Sequence, residues 1–99
     1  MKFYHATTTE NMEQIATSGI IRKSWDGVVY LCKDPIDACK FLVIRGLRKI
    51  CVIEVELNEE DVEESFDHSQ VFFKCRAYMH KGDIRFTGME KVEEFAFNI

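Results

Sequence analysis

Two side chains with useful binding chemistry stand at the ends of short apolar segments in this sequence. His5 is followed by the small Ala6 and by threonines at positions 7–9. Tyr30 lies in an apolar segment directly before a helix start. An imidazole exchanges hydrogen bonds with hydroxyl groups, and a phenol ring stacks on planar ligands. We therefore treat His5 and Tyr30 as candidate catalytic and ligand-binding residues.

Each of these residues also has a simpler structural interpretation. His5 is equally typical of a strand-end histidine with satisfied hydrogen bonds, and Tyr30 of a core or cross-strand aromatic. The run Asp-His-Ser at positions 67–69 contains the residue types of a nucleophilic triad. Members of a triad converge from separate elements, so we interpret this run as a turn. Trp25 in a polar loop is either a cover over a core edge or a contact for a ligand or partner, and His80 is expected in an exposed loop.

Local signals predict the elements that would position these side chains. An aromatic run predicts a strand over 2–6, and Thr7 with Glu10 has the form of a capping box that opens a helix ending at Gly19. An apolar run predicts a second strand over 28–32. Asp34 and Pro35 form a strong helix start, and this helix is expected to end at Gly46.

Later segments favour strands. Apolar residues at 53, 55 and 57 alternate with Glu54 and Glu56, which predicts a strand over 49–57 with one buried and one wet face. The acidic residues 58–64 indicate a loop or one helical turn, and short strands are expected over 71–75 and 83–86. For residues 89–97 a strand is favoured over a helix. This order predicts a single α+β domain over 1–99, with a small mixed or antiparallel sheet and two helices in its N-terminal half.

Composition limits the classes of function. The chain has 99 residues, 46% of them hydrophobic, and a net charge of -4, which argues against broad binding of a nucleic-acid backbone. Local basic clusters at 45–49 and 74–81 remain able to hold an anion. Neither a signal peptide nor a membrane span is evident, so we expect a cytoplasmic protein without membrane contacts. The four cysteines, scattered without metal-ligand spacing, are expected to be reduced and buried, with no metal site: Cys32, Cys39, Cys51 and Cys75.

Three segments in order carry a family resemblance: Phe3-Tyr4-His5-Ala6-Thr7, a helix ending in Ser18-Gly19-Ile20, and Gly27-Val28-Val29-Tyr30-Leu31 before a capped helix. This pattern, which covers about the first half of the chain, resembles the ADP-ribosyltransferase superfamily. That superfamily includes DNA-modifying toxin transferases and RNA 2′-phosphotransferases. The resemblance implies a domain that binds NAD as a substrate and transfers ADP-ribose.

The resemblance also implies roles for individual residues. His5 would hydrogen bond the nicotinamide ribose, and Tyr30 would stack on the nicotinamide ring. The small Ala6 would let the backbone approach the nicotinamide amide, which Thr7 and the nearby backbone would hold. His68 and Arg76 would face phosphate or the acceptor. The acceptor class stays open between nucleic acid, protein and a small molecule.

The later half departs from the family pattern at a third position, which is commonly Glu. Residues 71–78 contain no acid and carry Lys74, Arg76 and Tyr78 instead. Asp67 or the glutamates at 63–64, in the preceding loop, are the candidates to substitute for this missing acid. Two alternatives therefore stand beside the enzyme: an inactive relative that binds a nucleotide, a nucleic-acid end or a protein, and an unrelated protein that acts through protein contacts at Trp25 and the phenylalanines.

Overall fold

The computed structural model describes residues 1–64 and 77–97. These residues form an α+β fold with two helices and antiparallel strands, as the sequence predicts. The elements in chain order are β1 (Lys2–Thr7), α1 (Thr9–Ser18), β2 (Ile20–Ile21), β3 (Val28–Cys32), α2 (Pro35–Val43), β4 (Lys49–Glu56), a 3-10 turn (Glu59–Asp61), β5 (Val62–Glu64), β6 (Ala77–Lys81), β7 (Ile84–Arg85) and β8 (Val92–Ala96).

The main sheet has six strands in the order β5-β6-β3-β1-β4-β8. Each neighbouring pair in it is antiparallel, and β1 lies inside the sheet between β3 and β4. The short strands β2 and β7 pair antiparallel in a separate two-stranded sheet. Because β1 and β3 are adjacent, His5 and Tyr30 lie on neighbouring strands.

The two helices lie against opposite faces of the main sheet. On one face, Phe3 and Leu31 form a buried cluster with Ile15 of α1 and Ile21 of β2. On the other face, Cys39 of α2 packs against Ile50 and Val52 of β4. Burial of each such apolar side chain contributes on the order of 2 kcal/mol, so both clusters fix the helices on the sheet.

Helix α1 begins one residue later than predicted. Thr7 belongs to β1, where it pairs with Cys51 and is buried. Thr8 is the N-cap instead, and its hydroxyl accepts a hydrogen bond from the Asn11 amide at 3.1 Å. The prediction of a capping box at Thr7 is therefore wrong, because pairing with β4 keeps the Thr7 backbone extended. The predicted stop is confirmed: Gly19 caps the helix with φ of 72°, in the left-handed region that favours glycine.

Helix α2 starts as predicted and ends earlier than predicted. The Asp34 carboxylate accepts hydrogen bonds from the amides of Ile36 and Asp37, and Pro35 occupies the first turn. The helix ends at Val43, and a turn carries the chain to Gly46, whose amide donates to the Val43 carbonyl at 2.9 Å. The turn directs the chain back toward β4.

The sequence predicts that one face of β4 is buried and the other exposed to solvent, and the structure differs from this prediction. Residues 50–53 are all buried, because α2 covers one face of this strand and α1 covers the other. The alternation read from Glu54 and Glu56 applies only to the end of the strand. The predicted strands over 83–86 and 89–97 are confirmed as β7 and β8.

His80 also differs from its prediction as a loop residue. It lies in β6, where it pairs with Val29 on one side and Val62 on the other, and it is half-buried. A histidine followed by lysine and glycine gives little local strand signal, so only the sheet reveals this position. The strand predicted over 71–75 lies outside the described residues.

Three cysteines behave as the sequence predicts. Cys32, Cys39 and Cys51 are buried and form no disulfide. Cys75 lies outside the described residues. Within the described ranges, neither helix is long and apolar enough to cross a membrane.

Candidate functional site

His5 is held in place by the backbone of the adjacent strand. Its Nδ1 lies 2.9 Å from the carbonyl oxygen of Tyr30, and the side chain is half-buried. A carbonyl oxygen accepts hydrogen bonds only, so Nδ1 carries the proton and donates it. The other ring nitrogen, Nε2, is then unprotonated and is available to accept a hydrogen bond.

Burial keeps this imidazole neutral. Desolvation disfavours the imidazolium and lowers the pKa of His5 from its usual value, while the hydrogen bond to Tyr30 opposes this shift with a smaller effect. At neutral pH the ring is therefore a fixed hydrogen-bond acceptor without charge. Such a group suits a hydroxyl ligand better than a phosphate.

A groove of about 530 Å³ opens beside His5. Its walls come from the end of β1, one side of α1, the segment after β2, and the turn after α2. Ala6 and Thr7 line it together with His5, and Asn11 and Gln14 contribute amides from α1. The volume falls in the range of small-molecule sites, which is about 300–1,000 Å³.

Two exposed arginines make the groove suitable for an anion. Arg22, after β2, and Arg45, after α2, both line it. Within residues 1–64 and 77–97, neither guanidinium forms an ion pair, and the lining includes no carboxylate. Two unneutralised guanidinium groups on separate segments are an arrangement that binds phosphate.

The Tyr30 side chain lies apart from His5, Ala6 and Thr7, with which the sequence grouped it. Its neighbours Val29 and Leu31 point into the cluster under α1, so strand alternation directs the Tyr30 side chain to the opposite face from His5. Its hydroxyl donates to the Asp26 carboxylate. Tyr30 is not among the described residues that line the groove. It contributes to the site through its main-chain carbonyl, which accepts the hydrogen bond from His5.

Of the acids considered for the third position, the two that the structure describes, Glu63 and Glu64, do not line the groove. Glu63 belongs to the edge strand β5 and is 3.8 Å from Lys81 in an ion pair. Tyr78 packs edge-on against Phe3 in the core, with their ring centroids 5.5 Å apart. His68, Arg76, Asp67 and Lys74 lie outside the described residues.

Comparisons with protein-family models, with curated proteins and with solved structures found no match to this chain. The case for a function accordingly depends on the chemistry of the groove itself.

The basic residues of the groove were only partly visible in the sequence. Arg45 belongs to the basic cluster at 45–49, which the sequence singled out as a candidate anion site. Arg22 stands in a polar loop with no motif around it. Only the pairing of β2 with β7 and the packing of α1 bring that loop to the groove.

A second, smaller cavity of about 130 Å³ lies on the opposite face, beside Tyr4 and Glu54. The Tyr4 hydroxyl donates to the Glu54 carboxylate at 3.0 Å, and this hydrogen bond raises the pKa of Tyr4. Lys91 and Glu93 complete its rim and pair with each other at 2.8 Å. Their charges are already compensated, so this cavity is the weaker candidate site.

Proposed function

We propose that the groove binds NAD and that the protein is a minimal ADP-ribosyl transfer enzyme of the ADP-ribosyltransferase-like class. One observation carries the proposal: a neutral His5, fixed by the Tyr30 carbonyl, lies in the wall of a groove that also contains two arginines. A neutral acceptor beside cationic groups suits a ligand with ribose hydroxyls at one end and phosphates further along.

The assigned contacts follow from the chemistry of each group. The Nε2 of His5 accepts a hydrogen bond from a hydroxyl of the nicotinamide ribose. Small Ala6 leaves room for the nicotinamide amide at the end of β1. Arg22 and Arg45 bind the pyrophosphate with charge-assisted hydrogen bonds.

The transfer breaks the bond between the ribose C1′ and the nicotinamide nitrogen. Nicotinamide leaves as a neutral molecule with the bonding electron pair, and the ribose passes through an oxocarbenium-like state. An acceptor nucleophile then bonds to C1′ and loses its proton to a base. His5 orients the ribose in this scheme.

A second candidate function is binding of the nucleotide without transfer. It is favoured by the lack of a carboxylate among the described residues of the groove, because an acid commonly stabilises the developing positive charge in this class of reaction. In this case the same contacts would hold the ligand, and the nicotinamide bond would stay intact.

Calorimetric titration with NAD tests the proposal on the wild type, on His5→Gln and on a matched control, His80→Gln. His80 is likewise a half-buried strand histidine whose Nδ1 lies 3.2 Å from a carbonyl oxygen, that of Gly82. We expect saturable binding by the wild type and by His80→Gln, and binding at least about tenfold weaker in His5→Gln, because a buried hydrogen bond is lost. Undiminished binding by His5→Gln would overturn the assignment.

Nicotinamide release separates the two functions. The wild type is incubated with NAD and with candidate protein, DNA and RNA acceptors, and free nicotinamide is measured. Release that His5→Gln abolishes supports the enzyme. Binding without release from any acceptor supports the second candidate.

A further inference from the structure

Trp25 is the single tryptophan of the sequence, and its side chain is 97% exposed. Large aromatic side chains are usually buried for most of their surface, so a tryptophan in full contact with water is unusual. The sequence left open whether this residue covers a core edge or contacts a ligand or a partner. Its exposure excludes a cover over the core.

The turn that carries Trp25 is fixed on both sides. The Gly27 amide donates to the Ser24 carbonyl at 2.9 Å and closes a four-residue turn with Trp25 at its second position. The Ser24 amide donates to the Val28 carbonyl at 2.9 Å, and the Lys23 amide donates to the Asp83 carboxylate at 2.8 Å. Turn geometry does not require tryptophan at this position, where most residues are compatible.

The same turn forms part of the groove wall. Arg22 and Ser24, on the N-terminal side of Trp25, both line the groove. The charged residues nearest to Trp25 in the chain are cationic Arg22 and Lys23 and anionic Asp26. The Asp26 carboxylate accepts a hydrogen bond from the Tyr30 hydroxyl. Trp25 is not itself part of the groove lining, but it closely follows in the chain two residues that are, Arg22 and Ser24. An exposed indole close in the chain to an arginine of the groove is suited to stacking on a base whose phosphate the arginine holds.

We infer that Trp25 is a stacking platform for a nucleobase at the mouth of the groove. This inference rests on the proposed nucleotide binding and adds a residue that determines specificity. The base is either the adenine of the bound dinucleotide or a base of a nucleic-acid acceptor. Both offer the same planar face to the indole, and the fixed turn keeps the ordering cost of stacking low.

Fluorescence of the single tryptophan reports on this contact directly. NAD, ADP and nicotinamide mononucleotide are each titrated into the wild type, with excitation where tyrosine does not absorb. Saturable quenching by NAD and ADP, but not by nicotinamide mononucleotide, identifies adenine as the base. Quenching by a single-stranded oligonucleotide added to the NAD-saturated protein identifies a base of the acceptor.

Calorimetry of Trp25→Ala and Trp25→Phe supplies a second readout. We expect Trp25→Ala to bind the quenching ligand about tenfold more weakly, and Trp25→Phe to recover part of that loss, since an aromatic stack contributes on this scale. Thermal unfolding is expected to be unchanged in both variants, because the side chain contacts water and not the core.

The outcomes separate this inference from the proposed function. NAD binding that is lost in His5→Gln but is equal in wild type and Trp25→Ala, with no quenching by any ligand, overturns the platform and leaves the NAD site standing. Failure of NAD, ADP and the oligonucleotide to bind at all overturns both.

Discussion

The Nδ1 of His5 lies 2.9 Å from the main-chain carbonyl oxygen of Tyr30, 25 residues along the chain. This hydrogen bond links two adjacent central strands through a side chain, and it determines which ring nitrogen carries the proton. A substitution at Tyr30 retains the carbonyl, so the orientation of His5 depends on the position of β3 and not on the Tyr30 side chain.

The burial of His5 predicts a pH dependence of folding stability. Its pKa is lowered from 6.5, so the unfolded chain takes up this proton at a higher pH than the folded chain. The contribution to stability is therefore complete above the unfolded value and is lost as the pH falls through the lowered folded-state pKa, with a slope of at most about 1.4 kcal/mol per pH unit.

Chemical denaturation between neutral and mildly acidic pH measures this effect. We expect the wild type to lose stability as the pH falls, and His5→Gln to show a shallower dependence. Parallel curves for the wild type and His5→Gln would contradict a desolvated, neutral imidazole at His5.

The two groove arginines predict a dependence of ligand affinity on charge. Arg22→Gln and Arg45→Gln should each weaken the binding of NAD or ADP by about tenfold, the size of one charge-assisted hydrogen bond. Arg48→Gln is the matched control, since Arg48 is an exposed arginine three residues from Arg45 that does not line the groove. Calorimetry that finds equal losses for Arg45→Gln and Arg48→Gln would indicate only a general charge effect.

Gly19 predicts a local conformational requirement at the end of α1. Its φ is 72°, and a Cβ there would lie 3.4 Å from the Phe86 carbonyl oxygen. Gly19→Ala should lower the free energy of unfolding by about 1 kcal/mol, because non-glycine residues are disfavoured in the left-handed region. Gly19→Asn should cost less in thermal unfolding, since asparagine tolerates this conformation. Equal losses would assign the effect to the steric contact instead.

The buried thiols predict low chemical reactivity. Burial is the main cause that raises the pKa of Cys39 to about 11, and it also raises the pKa of Cys51. Because the thiolate is the reactive species, alkylation of these two residues in the folded protein should be at least about 100-fold slower than in denaturant. Peptide mapping after timed alkylation measures each site, and rapid labelling of Cys39 in the native protein would contradict its burial.

Several features were predictable because their signals are local. The glycine stop of α1 and the carboxylate cap that starts α2 at Asp34 each depend on groups within one helical turn. The strand over 28–32 was predicted with its observed bounds from a single apolar run. Predictions were wrong where pairing with a distant strand determines the secondary structure. Thr7 is part of β1 because it pairs with Cys51, and His80 is part of β6 because it pairs with Val29.

The sequence by itself determined the α+β class, the two capped helices and the candidacy of His5, because backbone propensity and capping act between near neighbours. The tertiary structure alone decided that Arg22 and Arg45 line one groove with His5, and that the Tyr30 side chain lies on the opposite face. Those relationships follow from the strand order and from which face each helix covers. Both depend on the whole set of core contacts, since no local group encodes the distance between segments that are far apart in the chain.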